Sequence, residues 1–537
     1  MLLQPPFFST AIFDVEGGQA TRVNTLEIMR LVLEDESRHA LMERGPGVFC
    51  IGWTSYPRFA PTKYEIDLVN HYLPKTVALP FPSKEAAQRT LDGFRFLLPS
   101  YDGPINIVNP ENTDIYFLEF PGLESSSKGV TIFKEIREAR EYLGTGMSPR
   151  QAHFELMLAQ GKISPLAFGQ LSELQTDINR NYRQQFARIL KSGKSHNIYV
   201  RPNGTDMLVD ILESIKMAVK KDDLKVATSG VPYSDTPITI GIVTGEKPTN
   251  TRSQMVSDVI DAALDADVIM LELGDNPLLT STDIESINAF AKEVGKPIFI
   301  DVSVVGPGNI DYAKLFSLEM VAGAIASTTK YSSGTVMGGM FIRNPNCKWE
   351  HQTLFKDYLD DLRPKADMYF ADGTVHLRDL ATYSERLKAH NRNAQELAEM
   401  LKDVPGLNVN YPTVNGYARN IEPFLKDGAG FGGLLSIEFS RELFSEEEVL
   451  KIVNELPNNM TNALSFGLPF SVALPYAATV FPEQTKEVSG CDPLILRLSM
   501  GAHPGESSEV YSAIMSTLYN VVGRERFHPL DQPAMAL

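Results

Sequence analysis

The stretch from Val268 to Val305 most narrows what this chain can fold into. Two short apolar runs, VIMLELGDNPLL and PIFIDVSVV, flank STDIESINAFAKEVG, whose apolar residues recur with a helical period. Runs without a polar face read as strands buried inside a parallel sheet, and a helix between two of them is a right-handed crossover. The predicted class is therefore α/β, with ligands bound outside the carboxyl ends of the strands. Glu272, Asn276 and Asp301 fall at those ends. At 537 residues the chain exceeds what one hydrophobic core organises, so two or three domains are expected.

Asp301 follows Ile298, Phe299 and Ile300, so an apolar strand delivers a carboxylate that needs a partner. A salt bridge or a helix cap would supply one. So would a protonated pyridine nitrogen, which makes its ring an electron sink for a carbanion. Further on, the small apolar run Val321 to Ala326 enters the turn STTKYSSGTVMGG, with Lys330 at its heart. A lysine in a turn is ordinarily just solvated. Held against apolar surroundings, an amine loses proton affinity and can form a Schiff base, while nearby hydroxyls and glycine N–H groups can hold a phosphate. Those two needs together point to pyridoxal phosphate (PLP).

A net charge of −17 argues against nucleic acid or an anionic membrane as partner, so an anionic ligand must be gripped locally. Candidate grips occur along the chain. In NIYVRPNGTDM a short strand, a turn at Asn203 and Gly204, and a helix with the core stripe Met207, Leu208, Ile211, Leu212 and Ile215 form an anion site by geometry. In YLGTGMSPRQAHF, glycines and Pro149 break the chain before a helix that begins at Arg150, which either forks onto a phosphate or is solvated. Tyr233, in KVATSGVPYSDTP, is a loop residue or a ring contact. Arg497, in ILRLSMGAH, faces solvent or a carboxylate.

Cys50, Cys347 and Cys491 show neither metal spacing nor a paired framework, and the N-terminus MLLQPPFFSTAIFDVEGG lacks the basic region and long apolar core of a signal peptide. No apolar run approaches a membrane span. A cytoplasmic protein is expected, and nine histidines without ligand spacing give no reason to expect a metal.

Taken together and in this order, the segment Ser-x-Thr-Lys-Tyr, Ser-Gly and Val-Met-Gly-Gly around Lys330, and Leu-Arg-Leu-Ser-Met-Gly from Leu496 to Gly501, resemble the cystathionine γ-synthase family, the PLP enzymes of cysteine and methionine metabolism. The segment TSYPRFAPT, with Tyr56 and Arg58, and ALPFPSKEAAQRTLDGF, where Ser83 opens an amphipathic helix, are similar to the extra N-terminal region of the long fungal-type members. The resemblance implies a fold-type I PLP-dependent enzyme: a large α/β/α domain with a mostly parallel sheet, a small C-terminal α/β domain and an extra N-terminal module. Expected bounds are 1–140 for that module, read as a lid or interface without chemistry, 141–375 for the PLP-binding domain and 376–537 for the small domain.

It also implies roles. Lys330 would carry PLP, Ser327 and Thr329 touch its phosphate together with Gly204 and Thr205, Tyr233 stack on the ring as a second catalytic residue, Asn276 bond the ring hydroxyl and Asp301 the ring nitrogen. Arg150 would reach a neighbouring subunit's phosphate, while Arg497, aided by Ser465, would grip the substrate α-carboxylate. Asp206 stands where the family has a small residue, and beside a phosphate it must face away. A homotetramer or homodimer is implied. The reaction would be γ-substitution, or γ-elimination by a lyase or by a branch forming an unsaturated amino acid such as propargylglycine from 4-chloroallylglycine. An inactive PLP-fold binding or regulatory protein is the alternative of another class.

Overall fold

The computed structural model describes two short paired strands, Arg44–Gly45 and Val48–Phe49, and then residues 63–526 except 74–76, 112, 122–126, 193, 333, 335, 363–366, 457–465, 477–491 and 493–494. The segment with Tyr56 and Arg58 lies outside the described residues, as does Ser465.

The first unit comprises α1 (Lys63–Tyr72), β1 (Ala78–Phe81), α2 (Lys84–Leu97), β2 (Asn106–Val108), β3 (Tyr116–Glu119) and α3 (Ser127–Tyr142). Ser83 caps α2 as its sequence suggests, its hydroxyl accepting from Ala86 N–H at 3.1 Å. The strands form an antiparallel sheet in the order β1-β3-β2, and Leu79, Phe81, Leu91, Phe94, Leu118 and Ile136 pack between sheet and helices. Two helices follow, α4 (Pro149–Ala159) and α5 (Pro165–Leu190), each with a serine cap and a proline in the first turn.

The second unit is a seven-stranded sheet made of β4 (Ile198–Arg201), β5 (Val226–Ser229), β6 (Thr249–Thr251), β7 (Val268–Glu272), β8 (Ile298–Asp301), β9 (Val321–Ser327) and β10 (Gly339–Arg343). Their order is β4-β10-β9-β8-β7-β5-β6, and β10 runs against the rest. The two runs that opened the sequence analysis, β7 and β8, are parallel neighbours with Asp301 opposite Glu272. Crossover helices α6 (Gly204–Val219), α7 (Thr236–Thr244), α8 (Val256–Ala263) and α9 (Ile284–Val294) cover the sheet. Being buried on both faces, the strands carry apolar runs rather than alternation. On α6 the expected stripe, Met207, Leu208, Ile211, Leu212 and Ile215, is buried.

After α10 (Gln352–Leu362), the long helix expected from about Val375 is two, α11 (Phe370–Leu380) and α12 (Tyr383–Leu401). The apolar stripe survives, with Leu380, Leu387, Ala394, Leu397 and Leu401 buried, because the break preserves the phase. It turns Tyr383 onto Phe186, ring centroids 5.4 Å apart, and lets Arg386 bond the released Asp379 carbonyl at 2.9 Å. A third unit holds β11 (Leu407–Asn410), β12 (Leu434–Phe439), α13 (Glu446–Glu455), β13 (Val472–Pro475), β14 (Leu496–Ser499) and α14 (Glu506–Val522), its strands antiparallel in the order β11-β12-β14-β13. Ser445 and Glu448 form a reciprocal capping box on α13. Among the described residues no helix is long and apolar enough to cross a membrane.

Candidate active site

Lys330 lies in the turn that follows β9, and that turn is pinned from several sides. Thr328 N–H donates to Gly338 O at 2.8 Å, Tyr331 N–H to Gly467 O at 2.9 Å, and Ser327 N–H to Ser303 Oγ at 2.7 Å. Tyr331 is buried with φ +60°, a strained setting for a tyrosine. Its hydroxyl holds it there, donating to Val304 O and accepting from Gly433 N–H at 3.1 Å. Gly467 has φ +69°, and a Cβ on it would stand 2.6 Å from Tyr331 N, so only glycine fits. Held this way, Lys330 is 6 % exposed and its Nζ lies 4.4 Å from the Phe466 ring centroid.

In front of the lysine opens a cavity of about 140 Å³ at the carboxyl ends of the central strands. Gly204, Thr205, Tyr233, Asn276, Asp301, Ser327, Thr329 and Lys330 all line it. One end is the N-terminus of α6, where a Cβ on Gly204 would meet the Ser327 Cβ at 3.6 Å. Asn203 caps that helix, its Oδ1 accepting from Asp206 N–H at 2.8 Å. Asp206 faces away from the cavity, as an aspartate there must, toward Arg89 at 3.7 Å. Burial first, then the charge of Asp210, pushes its carboxyl up to about 7.

The other end is acidic. Glu272 accepts from Tyr233 N–H at 2.6 Å, and Asp301 Oδ1 accepts from Ser303 N–H at 2.7 Å. Burial raises both carboxyls. Glu272 rises well above its ordinary range because Asp301 adds its charge, whereas the Ser303 bonds and the Lys330 ammonium draw Asp301 back down. Of the two, Glu272 is the one whose carboxyl is raised further.

Two expected residues stand apart, and a third lies outside the described residues. Arg150 is buried but pairs with Asp372 at 3.0 Å and does not line the cavity of its own chain. Arg497, also buried, is one ring removed: its guanidinium carbon lies 4.5 Å from the Tyr476 centroid and 6.0 Å from Phe466. Tyr476 in turn accepts from Asn276 Nδ2 at 2.9 Å. Ser465 precedes Phe466 and, as noted, is not among the described residues.

Sequence reasoning missed Ser303, Asp235, Phe466, Glu141 and Arg140 in the lining. Ser303 was within reach, two residues past Asp301 on the same loop. The last two come from α3, in the N-terminal unit read as free of chemistry, and in KEIREAREY they resemble any solvated charge run. Arg140 is instead 1 % exposed. Its Nη1 donates to Glu65 Oε1 at 2.6 Å, and Nε and Nη2 have no hydrogen-bond partner among the described residues.

These residues fit pyridoxal phosphate. A lysine amine, a buried carboxylate opposite it, a hydroxyl-lined helix N-terminus and buried polar atoms left unsatisfied, Asn276 Oδ1 among them, match an aldehyde, a ring cation and a phosphate.

Comparison with known proteins agrees. Residues 235–506 match the family of Cys/Met metabolism PLP-dependent enzymes. The chain is 26% identical over 522 residues to the cystathionine gamma-synthase-like protein ankD of Aspergillus thermomutatus, covering 88% of this chain and 89% of that one. It is 26% identical over 307 residues to the cystathionine gamma-synthase of Saccharomyces cerevisiae, covering 53% and 45%. In fold it is similar to the cystathionine gamma synthase of Xanthomonas oryzae pv. oryzae solved with aminoacrylate and cysteine, with a TM-score of 0.53 at 19% identity over 64% of this chain and 86% of that one. A Campylobacter jejuni metY structure holding N'-pyridoxyl-lysine-5'-monophosphate gives 0.53 at 21% identity, over 65% and 87%. With half of its length matched to the family and the cavity built from the residues such chemistry needs, the chain belongs to the Cys/Met metabolism PLP-dependent enzymes.

Proposed function

We propose that this enzyme acts at the γ-carbon of a small amino acid, by γ-substitution or γ-elimination of the cystathionine γ-synthase type. The observation that carries the reading is the convergence of Lys330, Asp301 and the N-terminus of α6 on one cavity. A cystathionine gamma-synthase and a cystathionine gamma-lyase among the relatives support a reaction at the γ-carbon without choosing between substitution and elimination.

In this reading Lys330 holds the cofactor, Gly204, Thr205, Ser327 and Thr329 bind its phosphate, Tyr233 covers one ring face and Asn276 bonds the ring hydroxyl. When bound, pyridoxal 5'-phosphate supplies an aldehyde for the substrate amine and a cationic ring that accepts the electron pair of the α-carbon. Asp301 would face that cation and favour its protonated form, while its neighbour Glu272, raised further by burial and by the charge of Asp301, holds the Tyr233 N–H. Once its amine is free, Lys330 would take the α-proton at Nζ, give it up to the carbon that had carried the cofactor aldehyde and, as a free amine again, take a β-proton. The Phe466 ring beneath Nζ keeps water from that face. Arg497 grips the substrate α-carboxylate with Ser465 beside it. Whether a thiol enters or nothing does then decides between substitution and elimination. A homotetramer or homodimer in the cytoplasm completes the proposal, on the family resemblance.

The test is spectroscopic and then chemical. Purified protein supplied with PLP should show a visible band that shifts when amino acids are added and is lost in Lys330→Ala. Homoserine esters, cystathionine and γ-halogenated amino acids, each with and without cysteine, should then yield products identifiable by mass. A wild-type protein that stays colourless with PLP would overturn the reading.

A further inference from the structure

Of the arginines and lysines buried among the described residues, Arg140 and Lys330 line the cavity, and Arg140 does so with hydrogen-bonding capacity unused. Arg140 is 1 % exposed, yet among the described residues Nη1 bonds Glu65 while Nε and Nη2 have no hydrogen-bond partner. A buried guanidinium with two orphaned N–H groups is costly unless a ligand completes it. Its position says which ligand. A Cβ on Gly146 would touch the Arg140 Cδ and Nε at 3.5 Å, and Gly144, two residues earlier, receives the Asn203 Nδ2 bond at 2.8 Å. Asn203 is the cap of α6. Arg140, Gly144, Gly146, Asn203, Gly204 and Thr205 are thus consecutive along one wall of the cavity.

We infer that Arg140 is the arginine that grips the cofactor phosphate, delivered within the same chain by the N-terminal unit and aimed by Glu65. The guanidinium fork suits two phosphate oxygens, and Glu65, occupying the third edge, holds it in register without competing for them. Arg150, which the resemblance assigns to a neighbouring subunit's phosphate, does not line the cavity of its own chain and leaves that place to Arg140. The N-terminal unit is then part of the cofactor site. The inference rests on PLP being the bound group.

The experiment compares PLP with pyridoxal, which lacks the phosphate, as titrants of the apo protein, following the visible band, with the ³¹P resonance of the loaded protein as a second readout. Arg140→Met should weaken PLP by about 10- to 100-fold, leave pyridoxal nearly unchanged and shift the ³¹P resonance. Arg140→Lys should recover part of the loss. Because Arg140→Met strands Glu65, the double variant Glu65→Gln with Arg140→Met removes both charges and should show the same PLP-to-pyridoxal ratio in a stably folded protein. Equal weakening of PLP and pyridoxal, no weakening, or a loss confined to amino acid affinity would each overturn the assignment. Failure of the wild type to take up PLP would sink the cofactor reading itself, a distinct result.

Discussion

At the scale of single residues, the chemistry was legible wherever one side chain departed from what its neighbours require. Asp301 ends an apolar strand and Lys330 interrupts a hydroxyl-rich turn, and both line the cavity. Arg497 is less direct, because it lies behind Phe466 and Tyr476 rather than in the lining. If it anchors the substrate carboxylate as proposed, those rings give way when substrate enters. Arg497→Leu is then expected to weaken amino acid binding by about 30-fold or more, the cost of leaving a buried charge without its partner, with PLP affinity nearly unchanged. Equilibrium titrations of both ligands check this, and equal losses would place the anchor elsewhere.

At the scale of elements, the N-terminus of α6 shows how one cap serves two purposes. Asn203 Oδ1 satisfies Asp206 N–H, and its Nδ2 ties down the Gly144 carbonyl of the preceding unit. Gly144 sits at φ +64°, and a Cβ there would overlap Asn203, so the close crossing requires glycine. Asn203→Ala is expected to cost about 1 kcal/mol for the lost cap and to loosen the crossing besides. Asn203→Asp keeps the cap and loses only the Gly144 bond. Thermal unfolding midpoints should therefore fall more for alanine than for aspartate, while both variants bind PLP less well than wild type. The cap was readable from strand, turn and stripe in sequence. The break between α11 and α12 was not, since a two-residue kink that keeps an apolar stripe in phase leaves periodicity unchanged.

At the scale of the molecule, the N-terminal unit is docked on α6 by Arg89, which bonds Asp210 at 3.3 Å and Glu213 at 2.6 Å and lies 3.7 Å from Asp206. Asp206, at about 7 against an ordinary 3.8, binds extra proton in the fold, so stability is full below the ordinary value and is lost as pH rises through about 7. Arg89 limits that loss by lowering the carboxyl's pKa. Arg89→Ala should thus destabilise the protein by about 1–2 kcal/mol at pH 8.5 and less at pH 5.5, seen as a widening gap in unfolding midpoint from wild type. A gap that narrows as pH rises would contradict this electrostatic account of docking. By itself the sequence determined the parallel sheet, the helix starts after Ser83, Ser148 and Asn203 and the lysine-bearing turn, because these follow from periodicity, caps and side chains within a few residues of one another. Which arginine reaches the cavity was decided by tertiary structure alone: Arg140 is aimed by Glu65, 75 positions away, and Arg150 is held by Asp372, 222 positions away. A long, flexible guanidinium goes where packing brings its counter-charge, and no local pattern records that distance.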